Sequence, residues 1–353
     1  AATAGFAPAQ FYLGVFYLEG TVVAQSEGDA ATWFRKAADQ EHAEAQLRLA
    51  LLYEAGLGVS KSSDEAFRWA KRSAEQGLGW AETVVGGYYE EGVATKADMV
   101  EAVRWYRRSL GHGYELAAYP LAVALASGQG TSKNVGEAVA LLQPGADRGE
   151  PYALHLLGYL HAHGDGIPLD PAEAARLYRK AADSGYTRSQ VALAYLMAAG
   201  NGVPKDPEGA MRLWHKAAEA GEGGAFRALG FAYDDGVFVG RDAKEAYRWF
   251  RKGADQGDAL SKVRLGWLLL EDPAIERDIP GARRLFDEAL AAGEGSGAYA
   301  IGTLYEHGVG APADRVEAAR WYKRGAELGD AESQIATGVS LEFGWAGPAD
   351  LVA

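Results

Sequence analysis

Small and apolar positions recur along this chain with two nested periods. Within short stretches they fall at helical steps, as in Ala153, Leu157, Gly158 and His161, or Ala225, Leu229, Gly230 and Tyr233. That spacing places them on one face of a helix. The longer period is 36 residues: stepping by it from Ala9 lands on Ala45, Ala81, Ala117, Ala153, Ser189, Ala225, Ser261, Gly297 and Ser333, all small. Five positions further on stand Gly14, Ala50, Gly86, Ala122, Gly158, Ala194, Gly230, Gly266, Gly302 and Gly338. The pattern predicts nine repeats and about half of a tenth, starting near 333, with no insertion or deletion.

Each repeat reads as two helices. The recurrent small residue of the first helix is most often Gly, which costs about 1 kcal/mol against Ala inside a helix. Its recurrence predicts that the backbone of another helix passes close. A Gly-containing turn follows, as in "GNGVPKD" at Gly200. The second helix opens on a capping box: Ser62/Glu65, Asp98/Glu101, Asn134/Glu137, Asp170/Glu173, Asp242/Glu245 and Asp314/Glu317. In that arrangement each side chain satisfies an orphan backbone N–H. Pro171 and Pro207 fall at the first helical position, where a missing N–H is harmless.

The phrase "WFRKAADQ" at Trp33 then returns as "LYRKAADS" at Leu177, "LWHKAAEA" at Leu213, "WFRKGADQ" at Trp249 and "WYKRGAEL" at Trp321. Gly closes the helix at Gly77, Gly113, Gly149, Gly185, Gly221, Gly257, Gly293 and Gly329, with Glu41 the one departure. Gly tolerates the left-handed conformation of a C-cap. A lone hairpin cannot bury both its faces, so the bulky pairs are expected to fill the seam between repeats. The expectation is an all-α solenoid forming one domain over residues 1–353.

Composition narrows the partners. The net charge of −13 repels phosphate backbones, which argues against nucleic acid. No apolar run approaches the length of a membrane span. Without cysteine there is no disulfide, thiol nucleophile or thiolate metal site. The chain opens "AATAGFAPAQ", without Met, as a processed or truncated chain would.

Two stretches carry a family resemblance: "ALGFAYDDGVFVGRDAKEAYRWFRKGADQGDA" from Ala228 and "AIGTLYEHGVGAPADRVEAARWYKRGAELGDA" from Ala300. They resemble the Sel-1-like repeat, a cousin of the tetratricopeptide repeat, over almost the whole chain. The resemblance implies a right-handed α-solenoid superhelix that binds partner proteins as an adaptor, with no shared catalytic residues. It also implies a periplasmic or secreted location, as many bacterial members are exported; the sequence itself leaves the compartment open. Some cysteine-rich relatives carry a disulfide in each repeat and are linked to penicillin binding. A chain without Cys does not fit that branch.

The repeat breaks in two places. In the fourth, Leu125 replaces the usual Tyr, Leu141 and Leu142 replace the bulky aromatic pair, and Pro144 falls inside the second helix, where a kink is expected. In the eighth, "LEDPAIERD" puts Asp272 where the turn glycine belongs. The chain ends "EFGWAGPADLVA", one helix into the tenth repeat. That open end is expected to be truncated, or covered by a partner or a second copy.

No Walker loop, HExxH, G-x-S-x-G or S-x-x-K motif occurs, so no enzyme is expected. His155, His161, His163 and Asp165 are the best metal candidates. However, His161 holds a slot that is Tyr in other repeats, and His161 and His163 point apart on a helix. No metal or other cofactor is expected.

The stronger signal lies on the first helices, which line the concave face of tetratricopeptide arrays. One groove position carries Tyr159, Tyr195, Phe231 and Trp267 in successive repeats. Trp80, Tyr119, Tyr152, His155, Arg227 and Tyr299 fall at others. Glu54, Glu90, Glu91, Asp234, Asp235, Glu271, Glu306 and Glu342 form an acidic edge, interrupted by Arg188 and Arg227. Aromatics rimmed by carboxylates suit a protein or peptide partner of basic character. The same rings could instead fill gaps between first helices. An envelope scaffold holding polysaccharide is the alternative function.

Overall fold

The computed structural model describes residues 1–345. Every regular element in that range is helical, and no strand occurs among the described residues. The fold is an all-α solenoid of tandem helical hairpins. Two compact bodies divide it, one spanning Ala1–Asp170 and one beginning at Pro171.

The first body holds α1 (Ala7–Glu19), α2 (Glu27–Ala38), α3 (Ala43–Ala55), α4 (Ser63–Glu75), α5 (Gly79–Glu91), α6 (Met99–Gly111), α7 (Ala118–Ser127), α8 (Val135–Arg148) and α9 (Pro151–His163). A 3₁₀ turn, Glu115–Ala117, leads into α7. The second body holds α10 (Pro171–Asp183), α11 (Thr187–Ala199), α12 (Pro207–Glu219), α13 (Gly223–Asp235), α14 (Ala243–Asp255), α15 (Ala259–Glu271), α16 (Ile279–Ala291), α17 (Gly295–His307), α18 (Arg315–Glu327) and α19 (Ala331–Glu342). Odd-numbered helices are the first helices of the repeats and even-numbered ones the second. Helix α8 runs unbroken through Pro144.

The small residue of the first helix faces a ring rather than a backbone. A Cβ on Gly14 would lie 2.7 Å from the Phe34 ring, and one on Gly86 or Gly230 would lie 2.5 Å from Tyr106 or Phe250. Gly266 meets Phe286 in the same way, and Gly302 meets Tyr322. Each ring belongs to the second helix of the same repeat and takes up the volume of the absent methyl group. Phe34, Phe250 and Phe286 are wholly buried there. The second ring of each pair therefore fills the hairpin, and the leading ring reaches the seam. Trp249 stacks on Phe226 of its own repeat at 6.0 Å and meets His215 of the repeat before at 5.5 Å.

Half of the expected capping box forms at Ser62, Asp98, Asn134, Asp242 and Asp314. The N-cap oxygen accepts the N–H of the Glu three residues on, at 3.3 Å for Ser62 and 3.0 Å for Asp314. The N-cap's own N–H donates elsewhere. In all nine repeats it reaches a carbonyl in the last turn of the first helix, from Ser26 to Tyr17 (2.9 Å) through Asp314 to Tyr305 (2.8 Å). With that donor satisfied, the Glu turns to an Arg one helical turn ahead, as in Glu65–Arg68 and Glu317–Arg320. These cross-turn bonds fix the angle at which the two helices of a repeat meet.

Several turns then rest on the second helix of the preceding repeat. The turn glycines Gly58, Gly130 and Gly202 lie against the first residues of α2, α6 and α10. At the same register the third repeat has Ala94, held at φ 54°. A left-handed backbone costs an L residue about 1–2 kcal/mol, part of which Gly loses again in the unfolded chain. Ala94→Gly is expected to raise stability by about 0.5–1 kcal/mol in urea titration; a loss would show that the Ala94 methyl packs usefully. Glu41, at φ 61°, adopts the conformation that glycine takes at the other second-helix ends.

Candidate functional site

In the first body the expected groove residues form two groups. Trp80 is half-buried, with the Arg48 guanidinium 5.1 Å from its ring centre. Tyr119 and Tyr152 meet at 5.7 Å, and Tyr152 remains 57% exposed. Tyr152, His155 and Tyr159 share one face of α9, with Tyr159 exposed and stacked at 4.0 Å on His163. The His163 Nδ1 lies 2.8 Å from the Tyr159 carbonyl, and Asp165 pairs with Lys133 at 2.6 Å. Among the described residues no three of His, Asp and Glu converge as a metal-ligand set.

The acidic edge divides into two chemical classes. Glu54, Glu90 and Glu306 accept hydroxyl hydrogen bonds from Tyr88 (2.8 Å), Tyr106 (2.6 Å) and Tyr322 (2.6 Å). Burial, together with those carboxylates, pushes the three phenols far above their ordinary range, so they remain donors. These acids belong to the wall. Asp235 and Glu271, one position further along their helices, are exposed, and no ion pair or side-chain hydrogen bond reaches them among the described residues. They can meet a partner.

The second body gathers the rest. Tyr195 is 45% exposed and lies edge-on to buried Trp214 at 5.1 Å. Burial pushes its phenol up, while neighbouring Arg227, paired with Asp258 at 2.8 Å, pulls the other way. Phe231 and Trp267 are half-buried: Phe231 stands edge-on to Phe250 at 5.3 Å, and Trp267 tilts against Phe286 at 5.3 Å. Their inner edges serve the core and their outer edges remain accessible.

Asp234, Trp267, Glu271 and Tyr299 line one open depression of about 560 Å³, together with Arg241, Arg264, Leu268, Asp272, Pro273 and Thr303. The missing turn glycine of the eighth repeat shapes it. With Asp272 at the end of α15 the backbone stays extended, at φ −84°, instead of turning left-handed. The Asp272 carboxylate accepts the Ala274 N–H at 2.8 Å and the Arg241 guanidinium at 2.6 Å, and both hold it below the usual carboxylate range. Arg241 also lies 3.6 Å from Asp234, whose carboxyl burial pushes upward against that attraction. Arg264 covers the Phe231 ring at 4.8 Å. Two guanidiniums thus face three carboxylates around Trp267 and Tyr299. Sequence spacing found the aromatics and missed Arg241, Arg264 and Thr303. The lost glycine was the available signal for the turn's role.

The last described helix, α19, exposes Ile335, Val339 and Leu341, followed by Phe343. The final stretch of the expected open end, residues 346–353, lies outside the described residues. No described helix is long and apolar enough to cross a membrane.

A tandem array of helical hairpins, with rings and free carboxylates on its first helices, defines a helical-repeat protein. The chain belongs to the Sel1 repeat family, which matches residues 7–42, 43–78, 81–114, 115–150, 151–186, 187–222, 227–258, 259–294 and 295–330. Sel1 repeat proteins generally mediate protein–protein interaction and are typically non-enzymatic.

Among solved structures, the chain is similar to a Sel1 repeat protein from Oxalobacter formigenes, at 27% identity and a TM-score of 0.63, over 69% of this chain and 96% of that one. It shares its fold with a protective antigen of uropathogenic Escherichia coli strains, at 24% identity and a TM-score of 0.57, over 99% of this chain and 82% of that one. No curated protein matches the sequence.

Proposed function

We propose that this chain is a non-enzymatic scaffold whose first-helix face binds a basic protein segment or peptide, with the depression between Trp267 and Tyr299 as a principal docking point. The observation that carries the reading is the meeting of two accessible rings with the unpaired carboxylate of Glu271 in one open hollow. Rings on a rigid wall offer contact area at little ordering cost, and free carboxylates select charge. In tetratricopeptide-like arrays this face turns inward, so successive repeats would add contacts along an extended ligand. The apolar face of α19 would serve self-association in the same scaffold.

Calorimetric titration with a blocked peptide carrying lysines around one aromatic residue tests the assignment. The double variant Asp235→Lys/Glu271→Lys, altering exposed side chains only, is expected to weaken binding roughly tenfold. Binding to the unaltered chain should also fall as salt rises. Equal affinity for the charge-reversed chain, or for a glutamate version of the peptide, would remove the reading. Saturable binding of an oligosaccharide at these rings, with no peptide bound, would favour the polysaccharide alternative.

A further inference from the structure

Five repeats share an internal device. The ring at the leading position of the repeated phrase is covered by a cation one helical turn later: Lys36 over Trp33 (3.9 Å), Arg72 over Trp69 (5.0 Å), Arg108 over Trp105 (5.0 Å), Lys252 over Trp249 (4.3 Å) and Arg324 over Trp321 (5.9 Å). These are cation–π pairs. In the fourth repeat both members are gone, because the equivalent positions are Leu141 and Pro144.

A third truncation coincides with them. Ala118 occupies the position held by Gln10, Gln46, Glu82, Leu154, Gln190, Phe226 and Lys262 in other repeats; the ninth also has Ala there, Ala298, but keeps the Trp321–Arg324 pair. In the seventh repeat the three positions are Trp249, Lys252 and Phe226. There the rings stack at 6.0 Å and the Lys252 ammonium lies 4.3 Å from one and 5.8 Å from the other.

In the fourth repeat the corresponding space is an open cavity of about 440 Å³ with a mostly apolar lining, including Leu110, Leu116, Tyr119, Leu141, Pro144 and Tyr152. Its polar edge is Glu115, Arg148 and Glu150. The Arg148 guanidinium lies 2.9 Å from each of the two carboxylates, one cation against two anions, so the edge is net negative. Ala140 also lines the cavity and is exposed. Pro144 has no N–H to donate to the Ala140 carbonyl, which leaves that acceptor without its usual helical donor.

We propose that this cavity is a slot for an aromatic side chain of a partner peptide with a lysine or arginine beside it, which supplies from outside the ring–cation pair that the fourth repeat lacks. The ring enters against Leu141, Tyr119 and Tyr152. An indole N–H or phenol O–H donates to the Ala140 carbonyl, and the cation meets Glu115 and Glu150. The slot is a second docking point, built from other residues than the Trp267–Tyr299 depression, and stands or falls separately from it.

The test uses the full chain and a fluorescently labelled, blocked, alanine-based helical peptide carrying Trp with Lys three residues later. Anisotropy should show saturable binding, weakened at least tenfold when the peptide's Trp is replaced by Ala or its Lys by Glu. Refilling the slot in the chain with Leu141→Trp/Pro144→Lys supplies the ring–cation pair that five other repeats carry. It should cut binding at least tenfold while circular dichroism keeps the helix content. Tyr152→Ala alters an exposed ring and should weaken binding in the same direction, which keeps the test decisive if the refilled chain does not fold. Absence of saturable binding, or binding indifferent to these substitutions, overturns the proposal. Repeated in the Asp235→Lys/Glu271→Lys background, which disables the other docking point, saturable binding with the same dependence on Leu141, Pro144 and Tyr152 should remain; its disappearance there overturns the proposal.

Discussion

Gly202→Val should destabilise the second body by about 4 kcal/mol or more, in the exceptional range for one substitution. Two causes add. Gly202 sits at φ 71°, a conformation that costs an L residue about 1–2 kcal/mol and a β-branched one more. Its Cβ would also overlap the Pro171 carbonyl and come within 2.5 Å of the Ala172 nitrogen, both in the backbone of α10. A side chain can rotate away, but a helix N-terminus cannot move without opening the seam between the fifth and sixth repeats. Gly257 separates the two causes: its φ is 89°, yet nothing lies within 4 Å of its Cβ position. Gly257→Val should therefore show the conformational cost alone. Urea unfolding of both variants checks the account, and equal losses would show that the seam is not packed as described.

The second large effect concerns the ring inside the hairpin. Phe250 is fully buried, and Phe250→Ala is expected to cost about 3–5 kcal/mol. The more informative experiment is a size exchange. Gly230→Ala alone overpacks against the ring and should cost about 1–3 kcal/mol. Phe250→Leu alone leaves a void. Together they copy the fourth repeat, where Ala122 and Leu142 occupy these positions. The double variant should then lose at least about 1 kcal/mol less than the sum of the single losses, a coupling of the size seen for residues in contact. Strict additivity in the cycle would contradict the packing partner assigned to Gly230.

The array was legible because each repeat meets an equivalent neighbour, so the same residue types are required every 36 positions. What the small positions faced was less legible. Gly230 announces a close approach, but only the three-dimensional pairing shows that Phe250 makes it. The capping boxes were half right for a similar reason: a carbonyl from the preceding helix had already taken the N-cap N–H.

The candidate site shows the same division. Helical register placed Glu306 and Glu271 along one edge. It could not show that the Tyr322 hydroxyl occupies the first and leaves the second open. Both irregular repeats were visible as irregular, yet their consequences needed the structure. Asp272 draws in Arg241 from the repeat before. The fourth-repeat cavity arises where truncations at Ala118, Leu141 and Pro144 coincide, positions that sequence distance keeps apart.

The most direct test of the scaffold's recognition face is hydrogen–deuterium exchange on the chain bound to a peptide selected from a display library. The Leu141→Trp/Pro144→Lys background keeps the fourth-repeat slot out of the readout. The expected result is a lysine- or arginine-bearing peptide that slows exchange in α13, α15 and α17, around Asp234, Trp267, Glu271 and Tyr299. Protection confined to α14, α16 and α18, with those first helices exchanging as in the free chain, would contradict it.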